Sequence, residues 1–399
     1  MSLRYAKRMD NIKASEIREL LKLTQKPEII SFAGGLPAPE LFPVEELEKV
    51  SSKVLEEQGT TAIQYGPTEG YEPIRVEITK RMEKVGIECK PEDILVTSGS
   101  QQGLDFSGKI FLNPGDIVLC ESPSYLGAIN AFKAYEPEFI GVPTDENGMI
   151  MEELEDILKN NDRVRFIYVI PDFQNPSGRT WSIERRKRLI ELANEYNVAI
   201  IEDNPYGELR FEGEYYPAIK HYDTEGRVIF LGTFSKIFCP GLRLGWVCAE
   251  EEVLNKFVLA KQGSDLQSST ISQMQVAKFL EEYDIEAHIE NLKKVYKKRR
   301  DLMINTMKEE FPEEIKFTNP EGGLFTWVVL PEYMNARDLA VKAIEKNVAF
   351  VPGGSFFPNG GNENTLRLNY SSMDDEKIVI GIKRLAEAIK SMMKESQKA

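Results

Sequence analysis

The chain has 399 residues, with 64 acidic and 50 basic side chains, a formal net charge of −14 and 42% hydrophobic residues. That length suits one large domain plus a smaller one, and the acidic balance argues against nucleic acid or an anionic membrane surface as a partner. Cys89, Cys120, Cys239 and Cys248 form no CxxC pair and only His221 and His288 supply imidazole, so neither structural zinc nor a histidine-based metal centre is expected.

The opening MSLRYAKRMDNIKASEIREL has no continuous apolar run, and nothing further on approaches a membrane span, so a soluble cytoplasmic protein is expected. Residues 10–25 read as an amphipathic helix in which Ile12, Ile17, Leu20, Leu21 and Leu23 share a broad face and Arg18 lies elsewhere. The glycine- and proline-rich stretch SFAGGLPAPELFP, residues 31–43, reads as an irregular loop that covers the surface or lines a site.

From about residue 72 helices and strands alternate. Helices are expected over 74–85, 129–134 and 183–195, and strands over 94–97, 117–120, 139–142, 164–169, 198–202, 228–232 and 245–249. Short apolar strands separated by helices indicate an α/β sheet covered on both faces. After a long helical region around 272–310, a strand over 323–329 with one face buried, a helix over 336–346, a strand over 366–369 and a closing helix over 376–395 suggest a smaller α+β unit. The basic run KKVYKKRR, residues 293–300, reads as the solvated face of a helix rather than a nucleic-acid contact.

Chemistry concentrates in GTFSKIFCPGLRLGW, where Thr233, Ser235, Lys236 and Arg243 fall within eleven residues just after a strand. Hydroxyls plus a guanidinium suit a phosphate, and an amine beside them can form an imine with an aldehyde. A helix-capping serine followed by two surface bases would leave the same local string. Upstream, TSGSQQGLD places a glycine-assisted turn at the start of a helix near Ser100–Gln102, where free backbone N–H groups bind anions. Asp203 in EDNPYGEL suits a pyridine nitrogen, Tyr206 and Asn175 (the latter in PDFQNPSG) suit a ring hydroxyl, and Tyr125 in ESPSYLG suits a ring face. Each alone is as well explained by a turn or a core. All follow the C-terminal ends of expected strands, where open α/β sheets place ligands.

With these stretches in order, and with NYS beyond Arg367, nearly the whole chain resembles the class I/II aminotransferases of the pyridoxal-phosphate (PLP) fold type I. SEIRELLKLTQKPEIISFAGGLPAPELFP resembles, more narrowly, the 2-aminoadipate and kynurenine aminotransferase subgroup. The resemblance implies a large domain over 46–295 with a mostly parallel sheet and a small α+β domain over 296–399, which residues 1–45 join as a substrate-covering segment.

It further implies that Lys236 holds PLP as a Schiff base and serves as general base, with Asp203 on the ring nitrogen and Tyr125 against the ring. Asn175 and Tyr206 would bond the phenolic oxygen; Ser100, Gln101, Ser235 and Arg243 would bind the phosphate. Tyr65 would reach the neighbouring subunit's phosphate in a homodimer. Arg367 would grip the substrate α-carboxylate with help from Asn175, and Gly35 would let the N-terminal segment come close. The Asn175–Pro176 bond is expected to be cis.

The implied reaction is a ping-pong transfer of an amino group to 2-oxoglutarate. Arg18 would pair with the distal carboxylate of glutamate or 2-aminoadipate and swing away for leucine-like or aromatic donors. The cofactor motifs do not separate this from another fold type I reaction, such as a C–S β-lyase, a decarboxylase or a cyclopropane-carboxylate synthase. A PLP-binding regulator would need a DNA-binding domain ahead of SFAGGLP, where about 30 residues are too few for one.

Overall fold

The runs IVLCES, VRFIYV and AIIED put apolar side chains on both alternating faces, a pattern that suits a sheet covered on two sides. In the computed structural model, which describes residues 3–12 and 27–396, they are the strands Ile117–Ser122, Val164–Val169 and Ala199–Asp203 inside an eight-stranded sheet. Across that sheet the strands lie in the order Ile94–Thr97, Gly245–Cys248, Val228–Thr233, Ala199–Asp203, Val164–Val169, Ile117–Ser122, Glu138–Asp145 and Gly148–Met149. Pairing is parallel from Val228–Thr233 through to Glu138–Asp145, while Gly245–Cys248 runs antiparallel to both of its neighbours. Strands 94–97, 117–122, 164–169, 199–203 and 228–233 therefore all point the same way, and their C-terminal ends share one edge. The start of Gly245–Cys248 opens on that edge too.

Two apolar clusters cover the sheet, one including Phe106, Tyr168, Leu231 and Trp246, the other including Trp181, Leu189, Ile200 and Ile219. The helix Ile183–Tyr196 on the second side begins at Ser182, whose hydroxyl accepts from the Arg185 N–H, and ends at Asn197 in the left-handed region at φ 54°. A second, four-stranded antiparallel sheet orders Lys316–Phe317, Phe325–Val329, Thr365–Asn369 and Val351–Pro352. The helices Ile285–Glu310 and Asp375–Ser396 pack against each other. Ile30–Ser31 pairs in parallel with Val348–Ala349, and the Asn369 N–H donates to the Phe32 carbonyl at 2.9 Å, so the segment before residue 45 is tied to the C-terminal third.

Several expectations change. Helices Val44–Ala62, Met151–Asn160 and Glu251–Gln262 are additions to the expected elements, and each buries three side chains. Phe325, Thr326, Trp327 and Val328 are all buried, because this strand sits inside its sheet with both faces covered. The basic run is a solvated helix face only in part: Lys294 and Lys298 are exposed, but Tyr296, Arg299 and Arg300 are buried, with Arg300 Nη2 2.8 Å from Glu212 Oε2 and Arg299 paired to Glu40. The helix expected over 10–25, with Arg18, lies outside the described residues apart from its first three positions. Among the described residues no helix is long and apolar enough to cross a membrane, and no His/Cys/Asp/Glu group is arranged to hold a metal ion.

The turn 171–178, at the C-terminal end of Val164–Val169, rests on a buried ion pair. Arg186 Nη2 donates to Asp172 Oδ1 at 2.7 Å and to the Pro171 carbonyl at 3.1 Å, while Nη1 reaches the Pro217 carbonyl at 2.9 Å and Nε the Trp181 carbonyl at 3.2 Å. Removing one partner of such a pair leaves an uncompensated buried charge. Asp172→Ala should destabilise the protein by about 3–5 kcal/mol in denaturant titration. A loss below about 1 kcal/mol would show that the pair does not anchor the turn.

Candidate active site

Where the strand ends converge, a cavity of about 610 Å³ opens between the large sheet, the N-terminal segment and the strands around Phe325 and Arg367. It is lined by Gly35, Ser100, Gln101, Tyr125, Asn175, Asp203, Tyr206, Ser235, Lys236, Arg243 and Arg367, all of them sequence candidates. Two further candidates are not there. Tyr65 is 77% exposed and away from its own chain's cavity, and Arg18 lies outside the described residues.

Each group is delivered by its strand. Asp203 ends Ala199–Asp203, and Lys236 follows Val228–Thr233 by three residues. Ser100 begins the helix Ser100–Phe111 after a left-handed Gly99 at φ 77°. A Cβ on Gly99 would lie 2.5 Å from Arg243 Nη2, so only glycine lets the guanidinium cross this turn. Arg243 is itself left-handed at φ 55° and its Nη1 donates to the Pro240 carbonyl at 3.2 Å. Ser235, buried beside it, accepts from the Thr233 hydroxyl at 2.9 Å.

Arg367 enters from the smaller sheet. Its Nη1 donates to Asn175 Oδ1 at 2.8 Å and its Nη2 to the Ala33 carbonyl at 2.7 Å, while Nε has no partner among the described residues. The guanidinium lies 4.2 Å from the Phe325 ring centroid and 5.1 Å from that of Phe356, which hold it in place without neutralising it. Burial pulls its pKa down to about 10. Asn175 spends its amide nitrogen on the Tyr206 hydroxyl, at 3.4 Å. The Asn175–Pro176 bond is cis, as expected, and so is Ser122–Pro123.

Two groups carry the chemistry. Lys236 Nζ donates to the Gly35 carbonyl at 2.8 Å, and enclosure by protein, then the Arg367 and Arg243 charges, draw its pKa from 10.5 down to about 8. Asp203 is buried; loss of solvent raises its pKa to about 7, against the opposing pull of a hydrogen bond from Tyr168. Tyr168 donates to Oδ2 at 2.9 Å, and Oδ1 has no partner among the described residues. Sequence reasoning misses Tyr168 because it reads as one more aromatic core residue of VRFIYV. Phe325 and Phe356 escape it for the same reason.

The family model described as aminotransferase class I and II matches residues 35–385. The chain belongs to this family. It is 49% identical over 388 residues to aromatic-amino-acid aminotransferase 1 of Thermococcus litoralis, covering 96% of this chain and 93% of that protein. It also superposes on the kynurenine aminotransferase of Pyrococcus horikoshii, solved in complex with PMP, at TM-score 0.94 and 45% identity over 98% and 97% of the two chains. The α-aminoadipate aminotransferase of Thermus thermophilus, complexed with N-(5'-phosphopyridoxyl)-L-leucine, matches at TM-score 0.90 and 44% identity over 98% of both chains.

The lowered lysine pKa gives this aminotransferase a measurable signature. Below about pH 8 the Lys236 amine is an ammonium ion, and above it a neutral nucleophile. In the apoprotein, arylation of Lys236 by trinitrobenzenesulfonate, located by peptide mapping, should reach half its limiting rate near pH 8 rather than 10.5. Arg367→Met should move that midpoint upward, since the guanidinium is one of the charges depressing it. A wild-type midpoint at the ordinary lysine value would refute the enclosure of the amine.

Proposed function

We propose that this protein is a PLP-dependent aminotransferase that moves an amino group between an L-amino acid and 2-oxoglutarate in a ping-pong cycle. The reading is carried by one juxtaposition: a lysine amine with a depressed pKa shares a cavity with a buried carboxylate that keeps one oxygen unpartnered.

The residues present fit the cofactor. Asp203 Oδ1 is a buried acceptor in need of a donor, which a protonated ring nitrogen supplies. Ser100, Gln101, Ser235 and Arg243 line the part of the cavity suited to a phosphate, with the start of a twelve-residue helix behind it. Tyr125, Asn175 and Tyr206 line the same cavity; Tyr125 would pack against the ring, and Asn175 with Tyr206 would hold its phenolic oxygen. Bound PLP supplies an aldehyde for the substrate amine and a ring that draws the electron pair from Cα.

The chain's own residues do the rest. Arg367 binds the α-carboxylate with its guanidinium, oriented by Asn175 and the Ala33 carbonyl. The Lys236 amine, neutral above about pH 8, takes the proton from substrate Cα and returns one on the far side of the transfer. The Gly35 carbonyl accepts from that amine at 2.8 Å, and a Cβ on Gly35 would sit 3.0 Å from the Phe325 ring, so the segment passes as close to that ring as a glycine allows.

The active assembly in this reading is a homodimer in which Tyr65 completes the neighbouring subunit's phosphate site. Its support is the exposure of Tyr65, at 77%, on a loop that also exposes Ile63. For substrates, the names of the similar proteins favour 2-aminoadipate, kynurenine and aromatic amino acids as donors, with glutamate and leucine added from the sequence resemblance. Incubation with a single amino donor should convert the bound cofactor to its aminated form with one equivalent of oxo acid. Release of ammonia or carbon dioxide instead would favour a lyase or a decarboxylase. Arg18→Ala should lower kcat/KM for glutamate and 2-aminoadipate at least about tenfold more than for leucine or phenylalanine, since only the acidic donors lose an ionic partner. Equal losses for all four would reduce Arg18 to a structural role.

A further inference from the structure

Asp203 is held by one hydroxyl, and that hydroxyl belongs to a residue nothing above assigns to the reaction. Tyr168 stands on Val164–Val169, whose pairing with Ala199–Asp203 sets Tyr168 opposite Ile201, two residues before the carboxylate. Its ring is wholly buried and packs edge-on against Phe132, with centroids 5.6 Å apart and planes at 76°. Close packing on every side, rather than that one contact, holds the ring, and its hydroxyl donates to Asp203 Oδ2 at 2.9 Å. Burial and the neighbouring carboxylate push the Tyr168 hydroxyl well above its ordinary pKa of 10.0, so it remains a neutral donor across the working range.

From this geometry we infer that Tyr168 is a positioning residue. It occupies Oδ2, leaves Oδ1 as the carboxylate oxygen without a partner among the described residues, and lowers the proton affinity of the carboxylate so that the proton stays on the cofactor's ring nitrogen. The balance is close because desolvation already raises Asp203 to about 7. A buried carboxylate that loses its one donor among the described residues gains proton affinity and competes with the ring for a single proton. A hydrogen bond to a charged group is strong enough to move such a balance by about one pKa unit or more. The inference rests on the PLP reading of the site.

The test uses holoenzyme loaded with PLP labelled with ¹⁵N at the ring nitrogen. Tyr168→Phe keeps the ring and its contact with Phe132 and removes only the hydroxyl. The ring-nitrogen resonance should titrate at least about one unit lower in Tyr168→Phe than in the wild type, and kcat should fall about tenfold or more with the donor KM little changed. Phe132→Leu, which loosens the same aromatic packing without touching Asp203, should lower Tm and leave the ring-nitrogen pKa in place. An unchanged ring-nitrogen pKa in Tyr168→Phe, in a wild type that binds PLP with a protonated ring, overturns the role of Tyr168 alone. A wild type that does not bind PLP overturns the reading on which it rests. Should Tyr168→Phe and Phe132→Leu shift the resonance equally, the effect belongs to packing and the inference fails.

Discussion

Desolvation is the constraint on which the rest of this site depends. Three cations, Lys236, Arg243 and Arg367, line one cavity with a single carboxylate, Asp203, in a protein whose overall charge is −14. Arg243 keeps its exposure, but Lys236, Arg367 and Asp203 lose water there, and the described residues return only part of what water gave: one carbonyl to Lys236, an amide and a carbonyl to Arg367, one hydroxyl to Asp203. Each shift follows in sign from that shortfall. The lysine and the arginine move down and the carboxylate moves up, all toward neutrality.

Groups held under such a penalty need rigid support, since a carboxylate or guanidinium free to turn would seek water. The Arg186–Asp172 pair supplies it beneath the turn that aims Asn175, and Asn204 Nδ2 reaches the same Asp172 at 3.2 Å from the end of the neighbouring strand. One buried carboxylate thus fixes both the turn with Asn175 and the loop that leads to Tyr206. On the other wall the Ala33 and Gly35 carbonyls tie Arg367 and Lys236 to the N-terminal segment, so the segment closing the cavity is bonded to the groups it covers. Mechanical support and hydrogen-bond satisfaction come from the same contacts.

Much of this is legible in the sequence because the parallel strands write themselves as short apolar runs, and the residue just past each run falls at the common edge. Asp203, Asn175, Tyr125 and Lys236 are all found that way. What stays hidden are residues whose chemistry is masked by their surroundings. Tyr168, Phe325 and Phe356 look like core aromatics, and nothing local says that one donates to a carboxylate while the other two flank a guanidinium. Arg299 and Arg300 mislead in the opposite sense. In KKVYKKRR they look like solvent-facing charge, but their helix packs into the molecule and brings Glu40 and Glu212, distant in sequence, within reach. Pairings set by tertiary packing leave no mark on a local window.

The surplus of positive charge also explains why a phosphate-bearing cofactor would be part of the architecture rather than a passenger. With its side chains ionised the lining carries, among the described residues, three positive charges against one negative, that of Asp203. A phosphate dianion near Arg243 and Ser235 and a substrate carboxylate on Arg367 would bring the count close to balance. A ring N–H on Asp203 Oδ1 would end the only unmet demand of that carboxylate. Each such contact exists in the folded state alone, so loading stabilises the fold by mass action, by about 2.7 kcal/mol at a hundredfold excess over Kd. Desolvation thus works in both directions: it sets the lining charges against one another, and it makes their arrangement selective for a ligand that carries a phosphate, a ring donor and a carboxylate-bearing partner together.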